Sequence, residues 1–180
     1  MRVIVLLCVI WSCWVSANVP DFILPFVEQN TPPLTLSELT QRNDMVECGD
    51  EHRAPIYCSD VVEYYKTSAW AELEITNSEV SSVRMHIDFS RMAYSDLQLN
   101  LRRDGFQLTQ VMIGDQYFSV QEQLAKHSMP EVDKALVLFL NQTPTIFPQQ
   151  QQWQKGNNIA QLVTDGQAIS LVFTHSESTL

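Results

Sequence analysis

The sequence lacks the short catalytic motifs that identify many enzymes directly. It contains no Gly-x-Ser-x-Gly nucleophile elbow, no phosphate-binding P-loop, no Gly-x-Gly-x-x-Gly turn and no His-Glu-x-x-His zinc helix. It also contains no Cys-x-x-Cys pair. These absences disfavour an enzyme built on such sites. They leave open a hydrolase whose residues come together from distant positions in the chain.

Positive charge is scarce. The chain has 11 basic and 21 acidic residues, so its formal net charge is −10 at pH 7. The largest basic cluster is the pair Arg102 and Arg103. Because an acidic surface repels phosphate backbones, we expect no nucleic-acid partner.

A long apolar run occurs only at the N-terminus. Arg2 precedes the continuously apolar residues 3–11, and small residues lead up to Ala17. This pattern predicts a cleavable signal peptide over residues 1–17 and therefore a periplasmic or secreted protein. Cleavage would remove Arg2 and change the net charge to −11. Lipidation of Cys13 and retention of the segment as an anchor are the alternatives, although the run is shorter than the roughly 20 residues of a membrane span.

The sequence has only four cysteines. Cys8 and Cys13 lie in or near the apolar run, so the remainder of the chain holds only Cys48 and Cys58. In an exported chain this pair predicts one structural disulfide, which would stabilise the fold by roughly 2–4 kcal/mol. A redox or metal pair is the alternative. The loop between them contains Asp-Glu-His at residues 50–52, but adjacent residues cannot easily face one ion, so we expect no metal site and no cofactor.

The clearest structural pattern begins after these cysteines. Apolar and polar residues alternate with a period of two, then recur with helical spacing, then alternate again. Ser90 is a suitable helix N-cap and Gly105 a suitable C-cap. The segment therefore predicts, in order, strand 69–76, strand 80–89, helix 91–104 and strand 106–114.

Weaker signals surround this centre. Residues 18–34 contain four prolines, which favours an extended arm over a helix. Capping patterns predict helices that begin near Thr35, Ser59 or Asp60, Ser119 and Ser128. At the C-terminal end, alternating residues 159–164 and 167–174 flank Asp-Gly, a strong hairpin signal.

These elements predict a single α+β domain over residues 35–180. Its sheet would have roughly five mainly antiparallel strands, with helices packed on one face and one disulfide. Residues 142–158 interrupt the pattern with two prolines and four consecutive glutamines, which predicts a long surface loop. Phe147 and Trp153 are the aromatic residues of that loop. Exposed aromatic residues anchor many interfaces, so both are candidate partner-binding residues. For Trp153 the alternative is a ring that pins its own loop to the domain.

Taken together, the sequence favours an exported, non-enzymatic binding or accessory protein that holds or inhibits a protein partner in the cell envelope. The signal segment, the expected disulfide and the missing catalytic motifs motivate this hypothesis. A carrier or sensor of a small apolar ligand is the first alternative, because a helix across a sheet can leave a pocket between the layers. A hydrolase with an unrecognised site is the second.

Overall fold

The computed structural model describes residues 19–49, 54–142 and 145–176. The predicted signal peptide, the lipidation alternative at Cys13 and the Asp-Glu-His cluster at residues 50–52 lie outside these residues. The described chain forms a mainly antiparallel sheet with helices. The sheet has ten strands, so the expectation of roughly five is wrong.

The strands follow one another along the chain as short and long segments. They are β1 (Met45–Glu47), β2 (Ile56–Ser59), β3 (Val62–Tyr64), β4 (Thr67–Thr76), β5 (Glu79–Asp88), β6 (Gln107–Ile113), β7 (Gln116–Ser119), β8 (Gln149–Lys155), β9 (Asn158–Thr164) and β10 (Ala168–His175). Across the sheet they follow the order β1-β2-β4-β5-β10-β9-β8-β6-β7, and β3 pairs separately with β4. Every pairing of neighbouring strands is antiparallel.

Five α-helices accompany the sheet in the described residues. They are α1 (Leu24–Val27), α2 (Leu36–Leu39), α3 (Arg91–Arg103), α4 (Val120–Leu124) and α5 (Met129–Gln142), and a 3-10 turn (Asp21–Ile23) precedes them.

The central segment folds as its sequence pattern predicts. Strands β4 and β5 form a hairpin, and the two turn residues Asn77 and Ser78 both have positive φ. The hydroxyl of Ser90 accepts a hydrogen bond from the Ala93 amide at the start of α3, so it is the N-cap. Gly105, with φ +88°, ends that helix and leads into β6. Local capping and alternation are therefore sufficient to specify this unit.

The C-terminal hairpin of β9 and β10 is also confirmed. Its turn differs from a two-residue Asp-Gly turn, because only Gly166 has positive φ. The Asp165 carboxylate instead accepts hydrogen bonds from the Gln167 and Ala168 amides. These bonds hold the pKa of Asp165 below its usual value. The acidic side chain thus closes a slightly wider turn.

The predicted loop over residues 142–158 is wrong for its second half. Residues Gln149–Lys155 form β8, which pairs with β6 on one side and β9 on the other. Four glutamines give no apolar alternation, so the sequence pattern hides this strand. It forms because two neighbouring strands satisfy its backbone donors and acceptors.

Two other local predictions are wrong. The chain forms strand β3 where a helix was expected after Ser59. A turn at Tyr65, where φ is +58°, connects β3 to its antiparallel partner β4. Valine and tyrosine are abundant there, and both favour strands over helices. The predicted extended arm over residues 18–34 contains the 3-10 turn and α1 instead. Pro25 occupies a first-turn position of α1, where a missing amide costs little.

One face of the sheet carries most of the core. Ala71, Met85 and Leu171 lie in register on this face and are fully buried. The buried residues of α1 and α3 pack into the same cluster, which includes Phe26 and Leu101. A second, smaller cluster joins β6, β7 and α5 through Val111, Phe118 and Val132.

The predicted disulfide between Cys48 and Cys58 is present, with 5.8 Å between the two Cα atoms. Val46 of β1 pairs directly with Cys58 of β2, and the Cys48 amide donates a hydrogen bond to the Ile56 carbonyl. The bond therefore fastens the short edge strand β1 to the rest of the sheet.

Candidate functional site

Trp153, a candidate partner-binding residue of the predicted loop, belongs to the core. Only 1% of its surface is exposed. Its strand partners are Leu108 of β6 and Ala160 of β9, and the guanidinium of Arg102 lies 5.7 Å from the centre of its ring. The strand that carries Trp153 places the ring on the inward face, where it packs within the domain and is not exposed to a partner.

Phe147 is half-buried and packs against its own domain. Its ring meets Phe89 edge to face, with centroids 5.5 Å apart and planes at 87°. A Cβ at Gly166 would lie 2.9 Å from the Phe147 ring, so the β9–β10 turn also touches it. Ile146, immediately before it, is 44% exposed. Contact between Phe147 and a partner stays a prediction.

A cavity of about 290 Å³ opens beside Phe147. It lies between helix α3, the C-terminal end of helix α5 and strands β6 and β8; we call it the α3–α5 cavity. Its aromatic and aliphatic lining consists of Phe89, Tyr94, Ile113, Leu140 and Phe147. Elements far apart in the sequence therefore form one partly open space.

Two of the residues that line this cavity, Tyr94 and Gln151, each bury a polar atom that has no hydrogen-bond partner among the described residues. Tyr94 is 9% exposed and Gln151 is 2% exposed. The hydroxyl of Tyr94 and Oε1 of Gln151 are buried and have no hydrogen-bond partner among the described residues. Burial raises the pKa of Tyr94 well above its usual value, which keeps the hydroxyl protonated as a donor. An unpaired buried polar group costs about 1–3 kcal/mol.

A second feature is the exposed apolar surface around α5. We call residues 116–142, comprising β7, α4 and α5, the α5 lobe. Eleven large apolar side chains are exposed in the described part of the chain, and five of them belong to this lobe. They are Tyr117, Leu124, Met129, Val137 and Leu138.

Helix α5 carries apolar residues both on the side that packs against the domain and on the side that faces solvent. Val132 is buried, and the Phe139 ring lies 5.4 Å from that of Phe118. Val137 and Leu138 are nevertheless 55% and 54% exposed. Ordinary surface helices carry polar residues on the outward side, so this helix has more apolar surface than its packing uses.

The opposite face of the sheet carries a third feature. The ring of Trp70 stacks on the imidazole of His86, with centroids 3.9 Å apart and an interplanar angle of 9°. The Glu72 carboxylate lies 3.1 Å from His86 Nε2, although the contact lacks the alignment of a hydrogen bond. Trp70 is 40% exposed. The cluster is consistent with ordinary cross-strand packing on an open face.

No group of three or more histidine, cysteine, aspartate or glutamate side chains in residues 19–49, 54–142 and 145–176 is placed to hold a metal ion. Within the same residues, no helix is long and apolar enough to cross a membrane.

No protein family, curated protein or solved structure matches the chain.

Proposed function

We propose that this chain is an exported, non-enzymatic binding protein that holds a protein partner through the α5 lobe. The observation that carries the proposal is the concentration of exposed apolar side chains there, above all Val137 and Leu138 on one helix. Exposed apolar surface of this kind marks interaction sites in soluble domains. Holding or inhibiting a protein of the cell envelope is the activity that we assign to it.

The negative charge of the α5 lobe and of the whole chain indicates which charge the partner should carry. The α5 lobe carries three exposed acidic side chains, Glu122, Glu131 and Asp133, and two exposed lysines. The chain as a whole is acidic as well, with a net charge of −10. Electrostatic complementarity therefore favours a partner whose apolar groove has a basic rim. The same charge disfavours an anionic lipid surface.

Export is supported by two independent features of the chain. The first is the N-terminal pattern of Arg2, an apolar run and small residues up to Ala17. The second is the disulfide between Cys48 and Cys58, since such bonds persist mainly in oxidising compartments. Partner contact at Phe147 is part of the same proposal, because the exposed Ile146 lies directly beside it.

The test compares two matched pairs of substitutions. Val137→Ser with Leu138→Ser changes the α5 lobe. Met92→Ser with Leu99→Ser changes two apolar side chains of α3 that are more exposed still, at 75% and 59%. Neither pair removes a buried contact, so both proteins should fold. Each tagged protein is expressed in its native host, cross-linked, purified and analysed by mass spectrometry.

We expect a stoichiometric protein that co-purifies with the wild type and with the α3 pair but not with the α5 pair. Equal recovery of every protein with both variants would contradict the proposal. Concentration-dependent dimerisation that only the α5 pair abolishes would replace the partner with a second copy of this chain. Vesicle binding that only this pair abolishes would assign the surface to a membrane.

A further inference from the structure

We propose that the outward face of the sheet is the contact surface of a homodimer, in which two copies of this chain stack sheet on sheet. The surface, which we call the open face, consists of two side chains on β6, three each on β8 and β9 and four on β10. They are Gln110 and Met112 of β6 and every second residue of β8 from Gln150, of β9 from Ile159 and of β10 from Ala168.

The strand register shows that these side chains share one side of the sheet. Leu171, Leu162, Gln151 and Val111 pair in succession across β10, β9, β8 and β6, and all four are buried. The two leucines pack in the cluster that includes α1 and α3, and Val111 packs in the cluster that includes α5. Because side chains alternate along a strand, the residues between them point away from these helices. Every side chain of the open face is at least partly exposed.

The composition of the open face is unusual for a solvated surface. None of its twelve side chains is charged, although the chain has a net charge of −10. Soluble domains carry charge on about 25–35% of their surface residues, so about three or four charged side chains would be expected here. Depletion of charge is the compositional mark of a protein–protein interface. The open face therefore resembles a contact surface.

The same lack of charge favours a second copy of the chain as the occupant. Two molecules with a net charge of −10 repel each other wherever their acidic surfaces meet. A two-fold contact places one patch against itself, and the open face brings no like charges together. Five of its side chains are glutamines, which both donate and accept hydrogen bonds and can therefore pair with the glutamines of a second copy.

The open face also has an apolar centre and polar surroundings. Val163 of β9 and Val172 of β10 lie on its two middle strands, and the glutamines of β6 and β8 lie on one side of them. On the other side, Val172 pairs with Arg84 of β5, which in turn pairs with the oppositely charged Glu72 of β4. An apolar centre within a polar rim is the usual anatomy of an interface.

The size of the open face predicts a reversible dimer. Four strands about 4.8 Å apart, each with seven residues of about 3.3 Å, form a patch of about 19 by 23 Å. Two such patches bury on the order of 900 Å² before the relief of the side chains is counted, which is near the lower limit of specific interfaces. We therefore expect a Kd of about 1–100 μM.

Stacking through the open face leaves both α5 lobes accessible, because α5 packs on the inward side of the sheet. The dimer would therefore present two copies of the proposed partner surface. Two linked surfaces can hold a partner more tightly than one when the partner offers two sites.

Gln161→Glu tests the dimer with a nearly isosteric change. Gln161 pairs with Val172 of β10 and with Gln152 of β8, so it lies within the open face. In a two-fold dimer the added carboxylates of the two copies share one interface and repel each other. Gln121→Glu, at an exposed glutamine of α4, adds the same charge elsewhere and is the matched control. Association of the protein purified from its native host is measured by sedimentation velocity over a concentration series.

We expect the wild type to dimerise reversibly, and more tightly at about 500 mM than at about 20 mM salt, because salt screens the repulsion between the two acidic molecules. Gln161→Glu should raise the Kd by roughly 10-fold or more, and Gln121→Glu should leave it within about 2-fold. Gln161→Lys should weaken the dimer as well. An equimolar mixture of Gln161→Glu and Gln161→Lys should associate more tightly than either protein alone, as two contacting open faces require.

Gln152→Glu, on the adjacent strand, replaces Gln161→Glu if that variant does not fold. Three results would overturn the proposal. They are a wild type that stays monomeric up to about 1 mM, a Kd that folded Gln161→Glu leaves unchanged, and a dimer that only the pair Val137→Ser with Leu138→Ser abolishes. The first two results leave the proposed partner contact of the α5 lobe unaffected, because co-purification tests that contact separately.

Discussion

Tyr94 of α3 and Gln151 of β8 line the same cavity, and each buries a polar atom that has no partner among the described residues. Tyr64 is buried as well, but its hydroxyl donates a hydrogen bond to the Asp104 carboxylate. Tyr65 donates to the other oxygen of the same carboxylate. Tyr64 is thus a buried tyrosine with a hydrogen-bond partner and Tyr94 a buried tyrosine without one among the described residues, so the two can be compared directly.

The first prediction follows from this contrast. Tyr94→Phe removes a hydroxyl that has no partner, so the free energy of unfolding should stay constant or rise by up to about 1 kcal/mol. Tyr64→Phe removes a hydrogen bond to a charged group and should lower the free energy of unfolding by about 1.5–3 kcal/mol. Urea unfolding of the two variants measures both values. A larger loss for Tyr94→Phe than for Tyr64→Phe would contradict this account.

The second prediction concerns alkaline pH. Burial, together with the nearby Asp104 charge, raises the pKa of Tyr64 far above its ordinary value of 10.0. Tyr64 therefore keeps its proton in the folded state after the unfolded chain has lost it. The stability that it contributes is complete below pH 10 and falls as the pH rises above 10.

Urea unfolding at pH 8 and at pH 11 tests this sign. The wild type should lose more free energy of unfolding between these two values than Tyr64→Phe, which has no proton to lose at this position. Tyr117→Phe, at an exposed tyrosine, should behave like the wild type. An identical loss in all three proteins would mean that Tyr64 has an ordinary pKa.

The third prediction concerns Gly166, where backbone and packing both oppose a side chain. Its φ is +89°, and a Cβ there would lie 2.9 Å from the Phe147 ring. Gly156 also has positive φ, +57°, but nothing lies within 4 Å of its Cβ position. Gly156→Ala should therefore cost only the backbone strain, about 1–2 kcal/mol, and Gly166→Ala should cost more.

Thermal unfolding of the two alanine variants measures this difference. Adding Phe147→Ala should recover part of the extra loss in Gly166→Ala, because it removes the clashing ring, and should recover nothing in Gly156→Ala. Equal costs at the two glycines would show that the ring yields freely.

Elements of the fold that depend on local residues could be predicted from the sequence, and elements that depend on distant strands could not. The β4–β5 hairpin and α3 were predictable because local residues determine them: Asn77 takes the left-handed turn, Ser90 caps the helix and Gly105 ends it. Strand β8 was not predictable from its own residues. Four glutamines have no apolar period, and the strand exists because β6 and β9 pair with it.

The candidate sites also differ in how far the sequence could predict them. The disulfide was predictable because only two cysteines remain beyond the N-terminal segment. The burial of Trp153 was not, since nothing in its polar neighbours indicates which face of a strand it occupies. The α3–α5 cavity joins Tyr94, Leu140 and Gln151 from three separate elements, so no spacing in the sequence could indicate it.

The fourth prediction concerns the disulfide. It closes a loop with a sequence separation of 10 residues and fastens β1 to β2. Replacing Cys48 and Cys58 together by serine should lower the free energy of unfolding by about 2–3 kcal/mol. Urea unfolding with and without a reductant provides the control, because the reductant should affect the wild type and leave the double variant unchanged.

The most direct test of the proposed function is photocross-linking in the native host. The photoreactive residue p-benzoylphenylalanine replaces Val137 of the α5 lobe in one protein and Leu99 of α3 in the other; both positions are exposed. The account predicts one discrete protein adduct at position 137 and none at position 99. Equal adducts at both positions, or no protein adduct at position 137, would contradict the claim that the α5 lobe holds a protein partner.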